Sequence, residues 1–405
     1  MSTQAKVTRL PVPRRLPGPA TGPVHRIAPD GPTAREVARH LFDPRLALTG
    51  RRLRWYGTIT PLWLVLQRML NLGFALDDVL FPGHRDHPVV APTFIFANAR
   101  SGTTLLHRLM SLDEERWAAP KLYQSLFPAV TWHRAFAGLD QIDRRTGRHL
   151  RKLVDRVNDE YLGPGWEGIH ELRLDKAEED EAAWLWPLLT TTITLLFPDA
   201  DRFERALRLD RVEPETRARY MAYYESIIQR LLYAAGGDRT FLNKNVFFAH
   251  RIGAVLERFP DARFIYLVRH PYDAIGSMLQ MWYVAWEAHS PDIPKDSEYS
   301  RAMGQVAVDY YRLALDARGL IPPEQFHLVR FADLVADPRR AVERIYAHFG
   351  IPMTDVYAAR LKEATAGAGA FKSRGHQYSL EEFGISRDDV YAQLRDAFEE
   401  FGFER

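Results

Sequence analysis

The chain has 405 residues, with 54 Lys and Arg against 52 Asp and Glu, a formal charge of +2, and no cysteine. Disulfides, thiolate zinc sites and cysteine nucleophiles are thereby excluded; so even a charge argues against a wholesale nucleic-acid binder, and anion binding has to be local. Hydrophobic residues at 46% and charged residues at 26% fit a soluble globular chain with a substantial core, and the missing cysteines suit a reducing, cytoplasmic setting.

Residues 1–33 hold seven prolines and no apolar h-region, with Lys6, Arg9, Arg14, Arg15 and Arg26 against Asp30. That composition reads as a basic, disordered or draped arm rather than a signal peptide. Globular structure is expected from near Ala34, as one domain over 34–405 whose first part, 34–90, is helical. The apolar stretch 61–81 is interrupted by Gln67, Arg68, Asn71, Asp77 and Asp78, which predicts an amphipathic core helix rather than a membrane span. Residues 182–198 lack charge but are short, threonine-rich and contain Pro187, so they are not read as a span either.

Strands are predicted at Thr93 to Ala97, Thr240 to Asn243, Arg263 to Val268 and Phe326 to Phe331, each with a helix after it or in the next interval. A helix follows the first from about Thr103 to Leu112, and residues 214–235 show the clearest helical spacing, from Pro214 to a Gly236-Gly237 stop. Strands alternating with long helices make this an α/β chain with a central, mainly parallel sheet of about 4–5 strands. The interval 113–239 reads as a large helical insertion over the sheet's carboxyl edge, where such sheets bind ligands.

The first strand runs into Ala97-Asn-Ala-Arg100-Ser101-Gly102-Thr103-Thr104-Leu-Leu. Gly102 allows close backbone approach, the helix start favours anions, Ser101, Thr103 and Thr104 add hydroxyl donors, and Arg100 adds a forked cation. A phosphoryl-transfer loop has G-x-x-x-x-G-K-[ST]; here Ala97 replaces the first glycine and Thr103 the lysine.

This stretch resembles the phosphosulfate loop of the sulfotransferase superfamily that uses 3′-phosphoadenosine-5′-phosphosulfate (PAPS), in its bacterial and Golgi-type branch. The resemblance implies a P-loop-like three-layer fold. It also implies that Arg100, Ser101, Gly102, Thr103 and Thr104 cradle the 5′-phosphosulfate, with Arg100 in the place of the loop's catalytic basic residue. A sulfuryl group in transfer carries less negative charge than a phosphoryl group, so amide donors and a cation can suffice; no metal is expected, and the product is 3′-phosphoadenosine 5′-phosphate (PAP).

The second block, Arg263-Phe-Ile-Tyr-Leu-Val-Arg269-His-Pro271 through Ser277, resembles the family's 3′-phosphate motif, which assigns that phosphate to Arg269 and Ser277. Alone, Arg269 would equally serve a salt bridge or a cap. Phe371-Lys372-Ser-Arg374-Gly375-His resembles the carboxyl-terminal segment that closes over the nucleotide, so Lys372, Arg374 and Gly375 are candidates for the same pocket, with a solvated basic loop as the other reading. The resemblance covers roughly residues 90–385.

Sulfuryl transfer to an alcohol needs a base for the acceptor's proton. Related enzymes often carry a Glu shortly after the loop; here Gln124 stands at that position and cannot act as a base. The acidic run Glu178-Glu179-Asp180-Glu181 resembles an acidic motif of the same branch and offers Glu179, a choice within the cluster, and His170 precedes it. A solvated first helical turn and an ordinary polar contact are their respective alternatives. Lys244, in a Leu-Asn-Lys-Asn-Val context where the family has Lys-Ser-Pro, suggests a cation near the transferred group or an ion pair.

Trp184, Trp186, Leu188, Leu189, Ile193, Leu195 and Leu196, with Trp282, Tyr283 and Trp286, read as apolar walls of an acceptor cleft or as core. The expected acceptor is a hydroxyl, less readily an amine, on a small molecule, glycan or lipid. No nucleic-acid partner is expected, and peripheral membrane contact is left open. A P-loop kinase and a catalytically inactive nucleotide-binding scaffold are the rival readings.

Overall fold

A computed structural model describes residues 26–405 apart from 44, 47, 99, 163–172 and 367–378. Five strands form one sheet: β1 (Thr93–Ala97), β2 (Trp117–Ala118), β3 (Thr240–Asn245), β4 (Arg263–Val268) and β5 (Phe326–Arg330), in the order β2-β3-β1-β4-β5. Every neighbouring pair is parallel. β1 therefore sits between β3 and β4, where the chain crosses from one side of the sheet to the other, and ligands of open α/β sheets bind at the carboxyl ends beside such a switch.

Period-two alternation divides the sheet's side chains between two cores. Phe94 and Phe96 pack with Phe248, Phe264 and Tyr266 on one face. Ile95 and Ala97 pack with Leu106, Leu109, Leu242 and Ile265 on the other. β1 is buried along its whole length, as a parallel strand covered on both faces must be. β2 escapes sequence reading because two residues, Trp117 and Ala118, pairing with Thr240 and Phe241, show no alternation. β3 runs to Asn245, beyond the expected Asn243, because polar partners receive its last side chains.

The first helices are α1 (Gly31–Leu41), capped by Asp30, α2 (Gly50–Leu80), capped by Thr49, and α3 (Thr103–Met110). The ordered fold thus starts before Ala34: Ile27 is buried and Asp30 accepts from the Thr33 amide. In 113–239, besides β2, come α4 (Leu122–Leu126), α5 (Val130–Arg145), α6 (His149–Val157), α7 (Glu181–Leu185), the one-turn α8 (Ile193–Leu196) and α9 (Glu204–Leu207), and α10 (Pro214–Ala235). The last matches its predicted limits, since Pro214 and Gly236 mark both ends. Beyond lie α11 (Ile252–Arg258), α12 (Pro271–His289), α13 (Glu298–Arg318), α14 (Phe331–Ala336), α15 (Pro338–His348), α16 (Asp355–Thr365) and α17 (Arg387–Phe401).

One expectation is refined and one open alternative is decided. α2 does pack Leu70 and Phe74 into the core, but a second apolar face, with Leu62, Val65 and Leu72, is exposed, while Arg52, Gln67 and Asp77 point inward. Inside, Arg52 bonds Ser290 and Asp292, and Asp77 accepts the Val130 and Thr131 amides and Arg230. By length and composition α2 could cross a membrane, but no membrane span is read from that alone. Of the two readings of the tryptophans, cleft wall or core, burial favours the core. Trp184, Trp186, Trp282 and Trp286 are fully buried, with the indole N–H groups of Trp282 and Trp286 donating to Thr194.

Burial also fixes an acid limit. It pushes the imidazoles of His40 and His133 down to about 4 and His107 to about 3, and His250 well below its ordinary value. Each pKa is lower folded than unfolded, so their contribution is full above about pH 6.5 and is lost as protons bind the unfolded chain below it. The urea midpoint should therefore fall steeply between about pH 6.5 and 4.5; a flat midpoint over that window would contradict neutral buried histidines.

Candidate active site

The loop after β1 turns through two left-handed residues, Arg100 at φ +67° and Gly102 at φ +87°. Glycine is required at 102: besides its φ, a Cβ there would meet Phe331 and Leu334 at 3.1 Å. Asn98 is pinned below the loop by donating to the Ala307 carbonyl at 2.8 Å. The loop delivers the chain into α3 at Thr103, whose first amides have no helical acceptor and whose dipole favours an anion. Turns of this kind leave backbone N–H groups converging on one side. The Ser101 hydroxyl is buried without a hydrogen-bond partner among the described residues.

Arg269 follows β4, the strand beside β1. Its guanidinium donates to the Arg100 carbonyl at 2.7 Å and to Asp273 at 3.1 Å, and stacks over Phe331 at 4.7 Å. Its Nε–H is buried without a partner among the described residues. The two strand-to-helix junctions that the sequence singled out are thus in direct contact. Ser277 is buried on α12, one turn beyond Asp273. Asp273 went unremarked in the sequence, although an acid four residues after Arg269 at a helix start is a readable signal.

The other side of β1 is built around Lys244, which pairs in register with Ile95. Its ammonium is buried, donates to the Thr104 hydroxyl at 2.9 Å, and lies 3.1 Å from Glu179 and 3.5 Å from Glu178. Burial opposes the charge, but Glu179 and Glu178 outweigh it and hold the pKa above the ordinary lysine value. The ion-pair alternative is present: one lysine joins the loop helix to the acidic run.

The backbone explains how that run arrives. Residues 174–178 lie antiparallel to 120–123, through the Lys121–Ala177 bridge and the bonds Glu178 N–H to Pro120 (3.0 Å) and Leu122 N–H to Lys176 (3.1 Å). Gln124 is spent on a cap, its side-chain carbonyl accepting the Lys121 amide at 2.9 Å. The acidic run is therefore clamped to the segment where Gln124 stands. Asp180 and Glu181 are structural. Asn245 donates to both, Tyr224 donates to Asp180, and Arg251 and Thr190 hold Glu181. Burial raises the Asp180 carboxyl above its ordinary pKa. Asn245, which broke the expected Lys-Ser-Pro pattern, is the anchor of these two acids. Glu179, with 15% of its side-chain surface exposed, is the more open of the two acids on Lys244.

The arrangement brings together Arg100, Ser101, Gly102, Thr103, Thr104, Lys244, Glu179 and Arg269 around the carboxyl end of β1. His170, Lys372, Arg374 and Gly375 lie outside the described residues. Such a site can hold one anion over the loop and α3, a second beside Arg269, and a proton acceptor across from them.

The family model described as "Sulfotransferase family" matches residues 92–355. The chain is 26% identical over 361 residues to the ω-hydroxy-β-dihydromenaquinone-9 sulfotransferase Stf3 of Mycobacterium bovis and equally to that of Mycobacterium tuberculosis, covering 87% of this chain and 85% of the relative in each case. The solved sulfotransferase STF9 of Mycobacterium avium superposes with a TM-score of 0.67 at 21% identity, covering 93% of both chains. For STF1 of Mycobacterium tuberculosis the values are 0.61 and 19%, with 90% of this chain and 98% of that one covered. These structural likenesses speak to the fold.

Proposed function

This chain belongs to the sulfotransferase family, and from that premise we propose that it transfers the sulfuryl group of PAPS to the hydroxyl of a lipid-linked acceptor. The observation that carries the reading is the chain of contacts Thr104–Lys244–Glu179 beside a loop braced by Arg269. That succession of helix start, cation and carboxylate supports a reading as anion cradle, charge stabiliser and base for a displacement.

The 5′-phosphosulfate lies over Ser101 to Thr104, and the 3′-phosphate takes the N–H groups of Arg269 with the Ser277 hydroxyl. The acceptor oxygen attacks sulfur as the bond from sulfur to the bridging oxygen breaks, and PAP leaves. Lys244 and Arg100 stabilise the negative charge that grows on the bridging oxygen. Glu179 takes the acceptor's proton. As Lys244 turns to the bridging oxygen, its hold on Glu179 loosens, so donor binding makes the carboxylate available as a base. No step asks for a metal.

A lipid acceptor is supported by the name of the 26%-identical relatives, which specifies a menaquinone-derived alcohol. The experiment is transfer from sulfur-labelled PAPS, in excess EDTA, to the organic and aqueous fractions of a cell extract. Label in an organic-phase product is expected. Label only in water-soluble products would overturn the lipid acceptor, and label in neither would overturn the activity.

A further inference from the structure

α2 carries an exposed apolar stripe. Leu62, Val65, Met69 and Leu72 recur at helical spacing on one face, with Leu62 49%, Val65 57% and Leu72 52% exposed. From residue 55 to 67 the helix has no charged residue, so the stripe is not broken until Arg68. A soluble protein's helix normally turns such a face to its core. Here the core side is already filled by Arg52, Tyr56, Gln67, Leu70, Phe74 and Asp77.

The adjoining helices repeat the pattern. α5 begins against α2, where Asp77 accepts two of its amides and Trp132 donates to the Met69 carbonyl. α5 exposes Leu139 and Ile142, and α6 exposes Leu150 and Leu153, set among arginines. Segments 50–80 and 130–157 together carry eleven Lys and Arg against five Asp, a net +6, while the whole chain carries only +2. The remaining residues, the basic arm included, are therefore net −4, so these helices hold a local excess of positive charge.

From this combination we infer that α2, α5 and α6 form a docking face for an anionic lipid bilayer, with the stripe of α2 lying in the interface. Apolar side chains at helical spacing beneath a basic surround are what an interfacial helix needs: burial in the acyl boundary and attraction to acidic headgroups. A second copy of the chain would have to bring two faces of the same sign together, so charge disfavours it.

The face lies close to the chemistry. On the inner side of α2, Trp63 packs on Trp186 with ring centroids 6.4 Å apart, and Gln67 donates to the Trp186 carbonyl. Trp186 directly follows α7, whose first residue, Glu181, is bonded to Asn245 at the end of β3. One helix, about 10 Å across, thus separates the bilayer face from the segment that leads to the acidic run. The docking inference does not depend on the donor; its use, delivery of a lipid hydroxyl, rests on the acceptor reading above.

The test is vesicle flotation of the full chain without donor, using phosphatidylglycerol–phosphatidylcholine vesicles against phosphatidylcholine alone. The wild type should partition onto the anionic vesicles about tenfold or more over the neutral ones, and L62E/V65E should lose most of that binding. R144E/R145E should lower anionic binding and make it less sensitive to salt. Thermal stabilisation by PAP, measured in parallel, keeps the folding of the variants and the donor reading separate from docking. No binding to anionic vesicles, or equal binding by wild type and L62E/V65E, would overturn the inference. So would a solution dimer that L62E/V65E dissociates, which would assign the face to a second copy.

Discussion

Glu179→Gln should lower kcat by about 100- to 10,000-fold while leaving PAP affinity nearly unchanged. Glutamine fills the same space and can still accept from Lys244, 3.1 Å from the carboxylate in the native chain, so the fold and the lysine's placement survive. What is lost is the ability to take a proton from the acceptor. The control is Glu178→Gln. Glu178 also faces Lys244 but is buried, with its carboxylate accepting the Glu179 amide, so its effect should fall on stability more than on turnover. Full activity in Glu179→Gln would move the base elsewhere. Restoring a carboxylate at the usual family position, by Gln124→Glu, should not rescue it, because that side chain is engaged with the Lys121 amide.

Arg269→Ala should remove the preference for the 3′-phosphate, a loss of about 10- to 100-fold in PAP affinity, the worth of a charge-assisted hydrogen bond or two. The residue has two jobs in the geometry. It braces the Arg100 carbonyl across the loop, and it presents an Nε–H that has no partner among the described residues beside Ser277's helix. The ratio of PAP to AMP affinity separates them. Loss of bracing alone would weaken both nucleotides alike and leave the ratio intact, whereas loss of a 3′-phosphate contact collapses the ratio toward unity. Arg269→Lys should give an intermediate ratio, since the charge remains but the fork that spans loop and ligand does not.

These effects were readable from the sequence in unequal degree. The loop and Arg269 were legible because each belongs to one local string, a strand followed by a helix start, and the parallel order of β1 and β4 then brings the strings together. Lys244 was legible as a residue but not as an environment. Its partners come from α3 and from an acidic run 65 residues earlier in the chain, which reaches it only by pairing with residues 120–123. Asn245 looked like a defect in a motif and is instead the donor that ties down Asp180 and Glu181. Periodicity marked α2 as amphipathic, but spacing alone cannot say which face meets the core. Buried pairs such as Arg230 with Asp77 at 3.0 Å decided it, turning a second apolar face outward. The same limit left the tryptophan reading open between cleft and core, and Thr194 supplied the buried partners that favour the core.

The central claim is that two adjoining strand-to-helix junctions hold the two phosphate ends of one adenosine nucleotide. Calorimetric titration of the wild-type chain with PAP, ADP and AMP in EDTA tests it most directly. PAP should bind about tenfold or more tighter than either of the others, because only PAP engages both the α3 loop and Arg269. Equal affinities, or binding of ADP that requires magnesium and exceeds that of PAP, would contradict it.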